Sequence, residues 1–177
     1  MEKNNIVEWD NRYTVGIQLI DDQHKELLRL INCFYLGCIN GEENTKSQLR
    51  LSAHGLVGYI KYHFATEEQF LERIKYPDRA AHKRQHDEFI RETLERAEHF
   101  DRSRAASPKN FVRYIRNWIL AHITLIDKKY ATYIYFINGQ INAAGRELYE
   151  VPAMWRAGPQ AFIGSKGIET PSEIFLG

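Results

Sequence analysis

The sequence has few of the features that mark membrane, secreted and disulfide-rich proteins. Its two cysteines, Cys33 and Cys38, lie five residues apart in one predicted helix, which suits neither a disulfide nor a Cys-x-x-C motif. The longest apolar runs are too short to cross a bilayer, and the run 118–125 is interrupted by a histidine. The residues after Met1, up to Asn5, are charged or polar, and the N-terminus does not resemble a secretory signal. We therefore expect a cytoplasmic protein with no membrane partner.

The chain also has no excess of charge of either sign. Its 24 Lys and Arg residues nearly balance 23 Asp and Glu residues, for a formal net charge of +1. A nucleic-acid partner is not expected, because such partners call for a basic surface. The length of 177 residues is typical of one domain with a real hydrophobic core.

Apolar residues at helical spacing predict four helices. Capping and stop signals give the expected limits of each helix. The first runs from Asp21 to about Asn40-Gly41, and the second from Thr45, which forms a capping box with Gln48, to Tyr76-Pro77. The third runs from about Asp78 to Arg102-Ser103, and the fourth from Ser107-Pro108 to Asn138-Gly139. Residues 1–20 lack this periodicity and are interpreted as an extended arm that packs its apolar side chains onto another part of the structure. Short connections favour an all-α, up-down-up-down four-helix bundle.

The composition changes after the fourth helix. We therefore divide the chain into a bundle, 1–138, and a C-terminal extension of unknown role, 139–177. Residues 140–150 suit one more short helix, whereas the remainder is rich in proline and glycine and favours an irregular tail. Three aromatic residues keep open a partner-binding or lid role for the extension: Trp155, Phe162 and Phe175.

Histidines and acids recur at helical spacing. His63 and Glu67 lie about 40° apart on one helix face. His82 and His86 repeat the four-residue spacing, and three further residues extend the set on other helices: His24, His122 and Asp127. A single histidine of this kind is usually a hydrogen-bonded core or surface residue. Five of them on four helices predict a metal site in the bundle interior, because buried polar groups need partners.

The ligand types narrow the metal without deciding it. The set has no thiolate, which excludes a cysteine-rich structural zinc site. Five imidazoles and two carboxylates exceed what one tetrahedral zinc uses, and they suit two ions bridged by the acids. Iron, zinc and copper all accept such ligands.

Two points of geometry stay open at this stage. His122 and Asp127 are five residues apart, or about 140° around an α-helix, so they do not share a face. Either a metal lies between the two faces or the helix is locally irregular. Glu68 has the same offset from His63 and is the rival of Glu67 as the bridging acid; we predict Glu67.

These residues resemble the hemerythrin family, in particular the single-domain bacteriohemerythrins. The resemblance covers roughly Val7 to Asn138. It is carried by five motifs in the expected order: Trp9 to Gly16, Ile20-Asp21-Asp22-Gln23-His24, His63-Phe64-x-x-Glu67-Glu68, Tyr76-Pro77 with His82-x-x-x-His86, and Trp118-x-x-x-His122-Ile123-x-x-x-Asp127.

The resemblance implies a non-haem centre of two iron ions with an oxo or hydroxo bridge. It assigns the protein ligands in three sets: His82, His86 and His122 to one iron, His24 and His63 to the other, and Glu67 and Asp127 as bridges between them. The second iron would keep an open position for dioxygen. By the same analogy three side chains form an apolar pocket over that position: Ile119, Ile123 and Phe64.

The function implied is reversible binding of dioxygen for carriage, storage or sensing. The alternative is an enzyme at the same centre, such as a di-iron oxidase, a peroxidase or a protein that detoxifies nitric oxide. Imidazole-rich ligands leave less negative charge for oxygen cleavage than carboxylate-rich ones, which favours binding over turnover. The C-terminal extension departs from the family pattern and is a candidate site for a protein partner. His54 and His99 lie outside the ligand pattern and are interpreted as polar surface or helix-end residues.

Overall fold

A computed structural model describes residues 5–39, 46–102 and 107–143, with the side chains of 46–50, 99–102 and 138–143 left aside. Within these ranges the chain is helical except for its N-terminal arm, the turn 74–78 and residue 107. The helices are α1 (Gln18–Ile39), α2 (Lys46–Arg73), α3 (Arg79–Arg102), α4 (Pro108–His122) and α5 (Lys128–Ala143). A 3-10 helix, Asn11–Tyr13, lies in the arm, and a π-helical turn, Ile123–Asp127, joins α4 to α5. Helices α1 to α4 pack as adjacent pairs in a four-helix bundle, which confirms the predicted fold class.

The N-terminal arm packs its apolar side chains onto the bundle as predicted. Val7 and Val15 are both buried. Asn32 on α1 holds the arm in place, because its Oδ1 accepts hydrogen bonds from the backbone N–H of Ile6 and Val7 at 3.0 and 3.2 Å. Arg116 on α4 donates to the carbonyl oxygen of Ile6 at 3.2 Å. The arm is therefore fixed by backbone hydrogen bonds to two helices.

Helix α1 begins at Gln18, three residues before the predicted start at Asp21. Asp21 is not the N-cap, because its carboxylate turns back to the arm. It accepts hydrogen bonds from the backbone N–H of Val15 at 2.7 Å and of Gly16 at 3.1 Å, and from the hydroxyl of Thr14. Gly16 has a φ of +79°, a conformation that favours glycine. The carboxylate thus caps the turn before the helix rather than the helix itself.

Helix α2 ends at Arg73, just before the predicted stop at Tyr76-Pro77. The backbone N–H of Tyr76 bonds to the carbonyl of Leu71 at 3.0 Å, and that of Lys75 to the carbonyl of Glu72 at 3.1 Å. Lys75 has a φ of +52°, so the three features together form a Schellman motif. The limits of α3 and the start of α4 at Pro108 agree with the sequence, whereas the predicted capping box at Thr45 lies outside the described residues.

The predicted fourth helix is not one continuous α-helix. It consists of α4, the π-helical turn and α5, and α5 continues to Ala143, past the predicted end at Asn138-Gly139. The first residues of the proposed extension 139–177, up to Ala143, belong to α5, whereas the rest of its predicted short helix and its tail lie outside the described residues. The boundary between bundle and extension therefore stays a prediction.

Two apolar clusters fill the bundle. The larger includes Leu27, Ile60 and Ile119, and the smaller includes Ile20 and Leu71. On α1, α2 and the α4–α5 chain, the polar residues of the predicted metal site fall between members of the larger cluster and members of the smaller one. The candidate site is therefore a polar layer between two apolar regions.

Candidate metal centre

The structure brings all seven predicted metal ligands into the interior. None is more than 4% exposed, and they come from all four walls of the bundle: His24, His63, Glu67, His82, His86, His122 and Asp127. A buried set of this size has almost no contact with water. Its polar atoms must be satisfied by one another or by a bound ion.

Three histidines form the first group of the candidate centre. The Nε2 atoms of His82 and His86 are 3.1 Å apart, those of His86 and His122 are 3.0 Å apart, and those of His122 and His82 are 3.3 Å apart. Glu67 joins them, since its Oε2 lies 3.3 Å from the Nε2 of His82 and of His86. The four residues present ligand atoms within 4.8 Å of one another.

His24 and His63 form a second group that also includes Glu67, again with ligand atoms within 4.8 Å of one another. The Nε2 of His63 lies 4.0 Å from Glu67 Oε2, and the Nε2 of His24 lies 3.5 Å from Asp127 Oδ2. The other oxygen of Asp127, Oδ1, lies 3.1 Å from His122 of the first group. Both acids therefore lie between a group of three imidazoles and a group of two.

The π-helical turn explains how His122 and Asp127 approach each other. A π-helix pairs residues i and i+5, so two side chains five residues apart share a face in it as those four residues apart do in an α-helix. Ile123–Asp127 has this form, which brings Asp127 Oδ1 to 3.1 Å from His122 Nε2. Of the two explanations that the sequence left open, the local irregularity of the helix is the one observed.

Glu67 lies inside the cluster, whereas its predicted rival Glu68 lies at the edge of it. The Oε1 of Glu68 is 3.0 Å from His86 Nδ1, the nitrogen that faces away from the first group, and its Oε2 is 3.2 Å from the ammonium of Lys83. The side chain of Glu68 is 22% exposed, against 0% for Glu67. Glu68 thus orients His86 and does not face the other ligands.

Gln23 and Tyr130 also support the cluster, and neither role was predicted from the sequence. Gln23 Oε1 lies 3.0 Å from His63 Nδ1, and its Nε2 lies 3.3 Å from the hydroxyl of Thr66. Tyr130 is fully buried and donates its hydroxyl to Glu67 Oε1 at 2.6 Å. Hydrogen bonds of this kind fix the orientation of metal ligands. The signal for Tyr130 was its position one turn after Asp127, whereas nothing in the sequence pointed to the contact of Gln23.

The electrostatics of the metal-free cluster differ from residue to residue. Burial lowers the pKa of His63 to about 3, and the neighbouring His24 adds to this effect. Burial alone would raise the pKa of Glu67, but hydrogen bonds with His82 and His86 outweigh it and hold that pKa well below its usual value. Glu67 is therefore ionised and His63 neutral at neutral pH, the states in which each side chain binds a metal.

His86 and Asp127 complete this pattern. Burial lowers the pKa of His86, but hydrogen bonds with Glu67 and Glu68 outweigh it and raise the pKa to about 9. Burial and Glu67 raise the pKa of Asp127, but His122 and His24 lower it below its usual value overall. Without a metal, His86 therefore holds a proton that a metal ion would displace.

Several buried atoms of the cluster have no hydrogen-bond partner. They are both ring nitrogens of His24, Nδ1 of His82 and both oxygens of Asp127. The 3.1 Å approach of His122 to Asp127 is close in distance but lacks the angles of a hydrogen bond. Unsatisfied buried polar atoms cost roughly 1–3 kcal/mol each, and more when charged. A bound metal would satisfy His24 Nε2 and both Asp127 oxygens.

The spacing of the imidazoles also fits a metal. Two nitrogens that each bind one ion at about 2.1 Å lie about 3.0 Å apart at a right angle and about 3.4 Å apart at the tetrahedral angle. The three Nε2 distances of 3.0 to 3.3 Å fall in this interval. Nitrogen and oxygen donors of this kind suit iron as well as zinc and copper. The residues present therefore fit the di-iron centre that the family resemblance implied.

The three predicted pocket residues are buried in the bundle, although an oxygen pocket stays a prediction. Phe64, Ile119 and Ile123 are each at most 3% exposed and belong to the larger apolar cluster. The ring of Phe64 stacks on His86 with a centroid distance of 3.7 Å. His54, by contrast, is exposed on α2, as expected for a surface histidine, and the side chain of His99 lies outside the described part of the structure.

A cleft of about 530 Å³ runs along the outside of the bundle between α2 and α3. Its lining includes Phe64 and His86 together with charged residues such as Lys61, Glu68 and Arg91. In the described helices, no segment is long and apolar enough to cross a membrane.

Comparisons with known proteins agree with this geometry. The chain is 27% identical to a bacteriohemerythrin of Methylococcus capsulatus over 67% of its own length and 88% of the relative's. It is 28% identical to a myohemerythrin of Sipunculus nudus over 69% and 88%. A wild-type hemerythrin crystal structure superposes with a TM-score of 0.65 at 26% identity, over 72% of this chain and 96% of that one. The family model of the hemerythrin HHE cation binding domain matches residues 15–134, and the chain therefore belongs to the hemerythrin family.

Proposed function

We propose that the chain binds dioxygen reversibly at a di-iron centre formed by the buried cluster. The observation that carries this proposal is the unequal division of the imidazoles, three in one group and two in the other, with Glu67 and Asp127 between the groups. His82, His86 and His122 would hold one iron, and His24 and His63 the other. The group with one fewer imidazole leaves room for an external ligand.

The residues of the chain would support binding of the external ligand in two ways: they orient the side chains that hold the metal, and they exclude water. Two ferrous ions would supply the electrons for reversible binding of dioxygen. Gln23 holds the ring of His63 through Nδ1, and Tyr130 holds Glu67 through Oε1. Ile119 and Ile123, 2% and 1% exposed, keep the interior apolar, which excludes water from a reactive centre.

The proposal is tested by iron content together with the visible spectrum. Protein reduced under argon is exposed to air and then deoxygenated again. We expect two irons per chain and a coloured adduct that disappears on deoxygenation and returns with air. Two irons that oxidise without a lasting adduct, or that consume added reductant, would instead indicate the enzyme alternative. A chain that binds no iron would contradict both.

A further inference from the structure

Trp118 connects the candidate metal centre to the surface of the bundle. Its indole stacks on the imidazole of His122 with a centroid distance of 4.5 Å and an interplanar angle of 13°. Phe89 on α3 stacks on the same indole at 3.9 Å and 11°. The indole is nevertheless only partly buried. A conjugated ring therefore extends from a proposed iron ligand to solvent, in a plane that its neighbours fix.

The other aromatic contacts of the cluster end at rings that are almost fully buried. Phe64 stacks on His86 but is 3% exposed, and Tyr130 lies against His82 but is fully buried. Among the ring contacts of the seven ligands in the described structure, that of Trp118 is the one whose ring reaches solvent. The seven ligands themselves are at most 4% exposed, so a reductant in solution is separated from the centre by a protein shell.

We propose that Trp118 is the route by which electrons from an external one-electron reductant reach the centre; this inference rests on the proposed di-iron function. Electron transfer weakens steeply with distance and proceeds better through stacked conjugated rings than across gaps. In each transfer the reductant would lose one electron and a ferric ion held by the cluster would gain it. Trp118 itself would be unchanged at the end, with no bond of its side chain formed or broken. Two transfers would restore the ferrous pair that dioxygen binding requires.

The surface around Trp118 is rigid enough to receive such a reductant. Tyr114 lies one turn earlier on α4 and donates its hydroxyl to Glu92 Oε2 at 2.9 Å. The guanidinium of Arg96 lies 4.1 Å from the centre of the same ring. Two contacts from α3 thus hold the aromatic side chain next to Trp118. The reductant expected here is one that exchanges electrons on contact, without entering the bundle.

The test measures how fast the oxidised, iron-loaded protein is reduced by hexaammineruthenium(II), a cation unsuited to the apolar interior. Loss of the visible absorption is followed by stopped flow under argon for wild type, Trp118→Leu, Trp118→Phe and Trp9→Leu. We expect Trp118→Leu to slow reduction at least about tenfold, which corresponds to about 1.4 kcal/mol of barrier. Trp118→Phe retains a stacked ring and should recover most of the rate. Trp9 is also a half-buried tryptophan but touches no ligand, so Trp9→Leu should leave the rate unchanged.

Iron content and midpoint potential are measured for each variant, so that a slower rate is not mistaken for lost metal or a shifted potential. Equal rates in wild type and Trp118→Leu, with two irons bound, would overturn the proposal. If Trp118→Leu does not hold iron, the proposal is tested by the fluorescence emission of Trp118 instead. This emission is the difference between the spectra of wild type and Trp118→Phe. Iron should quench this emission and zinc should not; emission unaffected by iron would also overturn the proposal. A wild type without two irons or a reversible adduct points instead to failure of the proposed function.

Discussion

The five histidines among the candidate ligands differ from His54 in burial and in the side chains around them. His63 is 1% exposed and lies among four further imidazoles, whereas His54 is exposed on the same helix. A histidine at helical spacing can serve as a metal ligand only when other helices bring further donor atoms close to its side chain. The sequence alone already separated His63 from His54. His54 lies outside the ligand pattern, because it has no acid or histidine one helical turn away.

Substituting these two histidines separates a ligand from a bystander. His63→Ala should remove iron from the group that has two imidazoles and lower the iron content from two per chain to one or less. His54→Ala should leave it at two, because that ring is exposed. Iron per chain is measured by mass spectrometry after reconstitution, together with helix content by circular dichroism. Equal iron loss in both variants would show that the assignment of ligands is wrong.

The pH dependence of the metal-free protein follows from two of these histidines. His86, with its pKa raised to about 9 from about 6.5, stabilises the fold below pH 6.5, and this contribution is lost as pH rises towards 9. His63, with its pKa lowered to about 3, stays neutral in the fold, so stability is lost as pH falls from about 6.5 towards 3. We expect the free energy of unfolding to be greatest near pH 6.5.

Urea denaturation in the presence of a chelator, at pH values between about 4 and 9, measures this profile. The alkaline loss is on the order of 3 kcal/mol, since one pKa unit corresponds to about 1.4 kcal/mol. His86→Gln should abolish the alkaline loss and keep the acid one. Stability that rises steadily from neutral pH to pH 9 would contradict this account.

At the scale of the element, the π-helical turn contains one residue more than a turn of α-helix would, while α4 before it and α5 after it remain α-helical. Deleting Leu125, which is 65% exposed, would leave four residues from His122 to Asp127, or about 40° on an α-helix. We expect this variant to keep its iron. Inserting one alanine after Leu125 would make the spacing six residues and turn Asp127 about 120° away.

The insertion should therefore lose iron while helix content by circular dichroism stays close to that of wild type. Iron per chain is again the measurement, and Leu125→Ala, which changes no spacing, is the matched control. Loss of iron on deletion, with the helices intact, would show that the π geometry itself is required.

These elements show what the sequence could and could not predict. Periodic apolar residues predicted the four-helix bundle, and histidines and acids at helical spacing predicted the candidate ligands on it, because both patterns depend on spacing along one helix. The start of α1 was missed because Asp21 bonds backwards to Val15 and Gly16, a contact that the capping rule does not distinguish from an N-cap. The contact of Gln23 with His63 joins two helices, and no spacing within either one specifies it.

At the scale of the whole molecule, the candidate ligands all lie between residues 24 and 127, well before the proposed extension. Deleting residues 144–177 should therefore leave iron content and the oxygen adduct unchanged. Iron per chain and oxygen affinity of the truncated and full-length chains are compared directly. A collapse of oxygen affinity on truncation would mean that the extension contributes to the oxygen pocket. Unchanged affinity would leave the extension as a site for a protein partner, as proposed from its aromatic residues.

The polar layer between the two apolar clusters has a further consequence for how the bundle unfolds. Side chains on either side of that layer share few apolar contacts across it, so the free energy that couples the two ends comes largely from the layer itself. A metal bound to residues from all four walls of the bundle would tie the ends into one cooperative unit. Without a metal, we expect each end to open with its own local free energy, as separate foldons do. The ion at the centre would then set the size of the folding unit as well as the chemistry of the site.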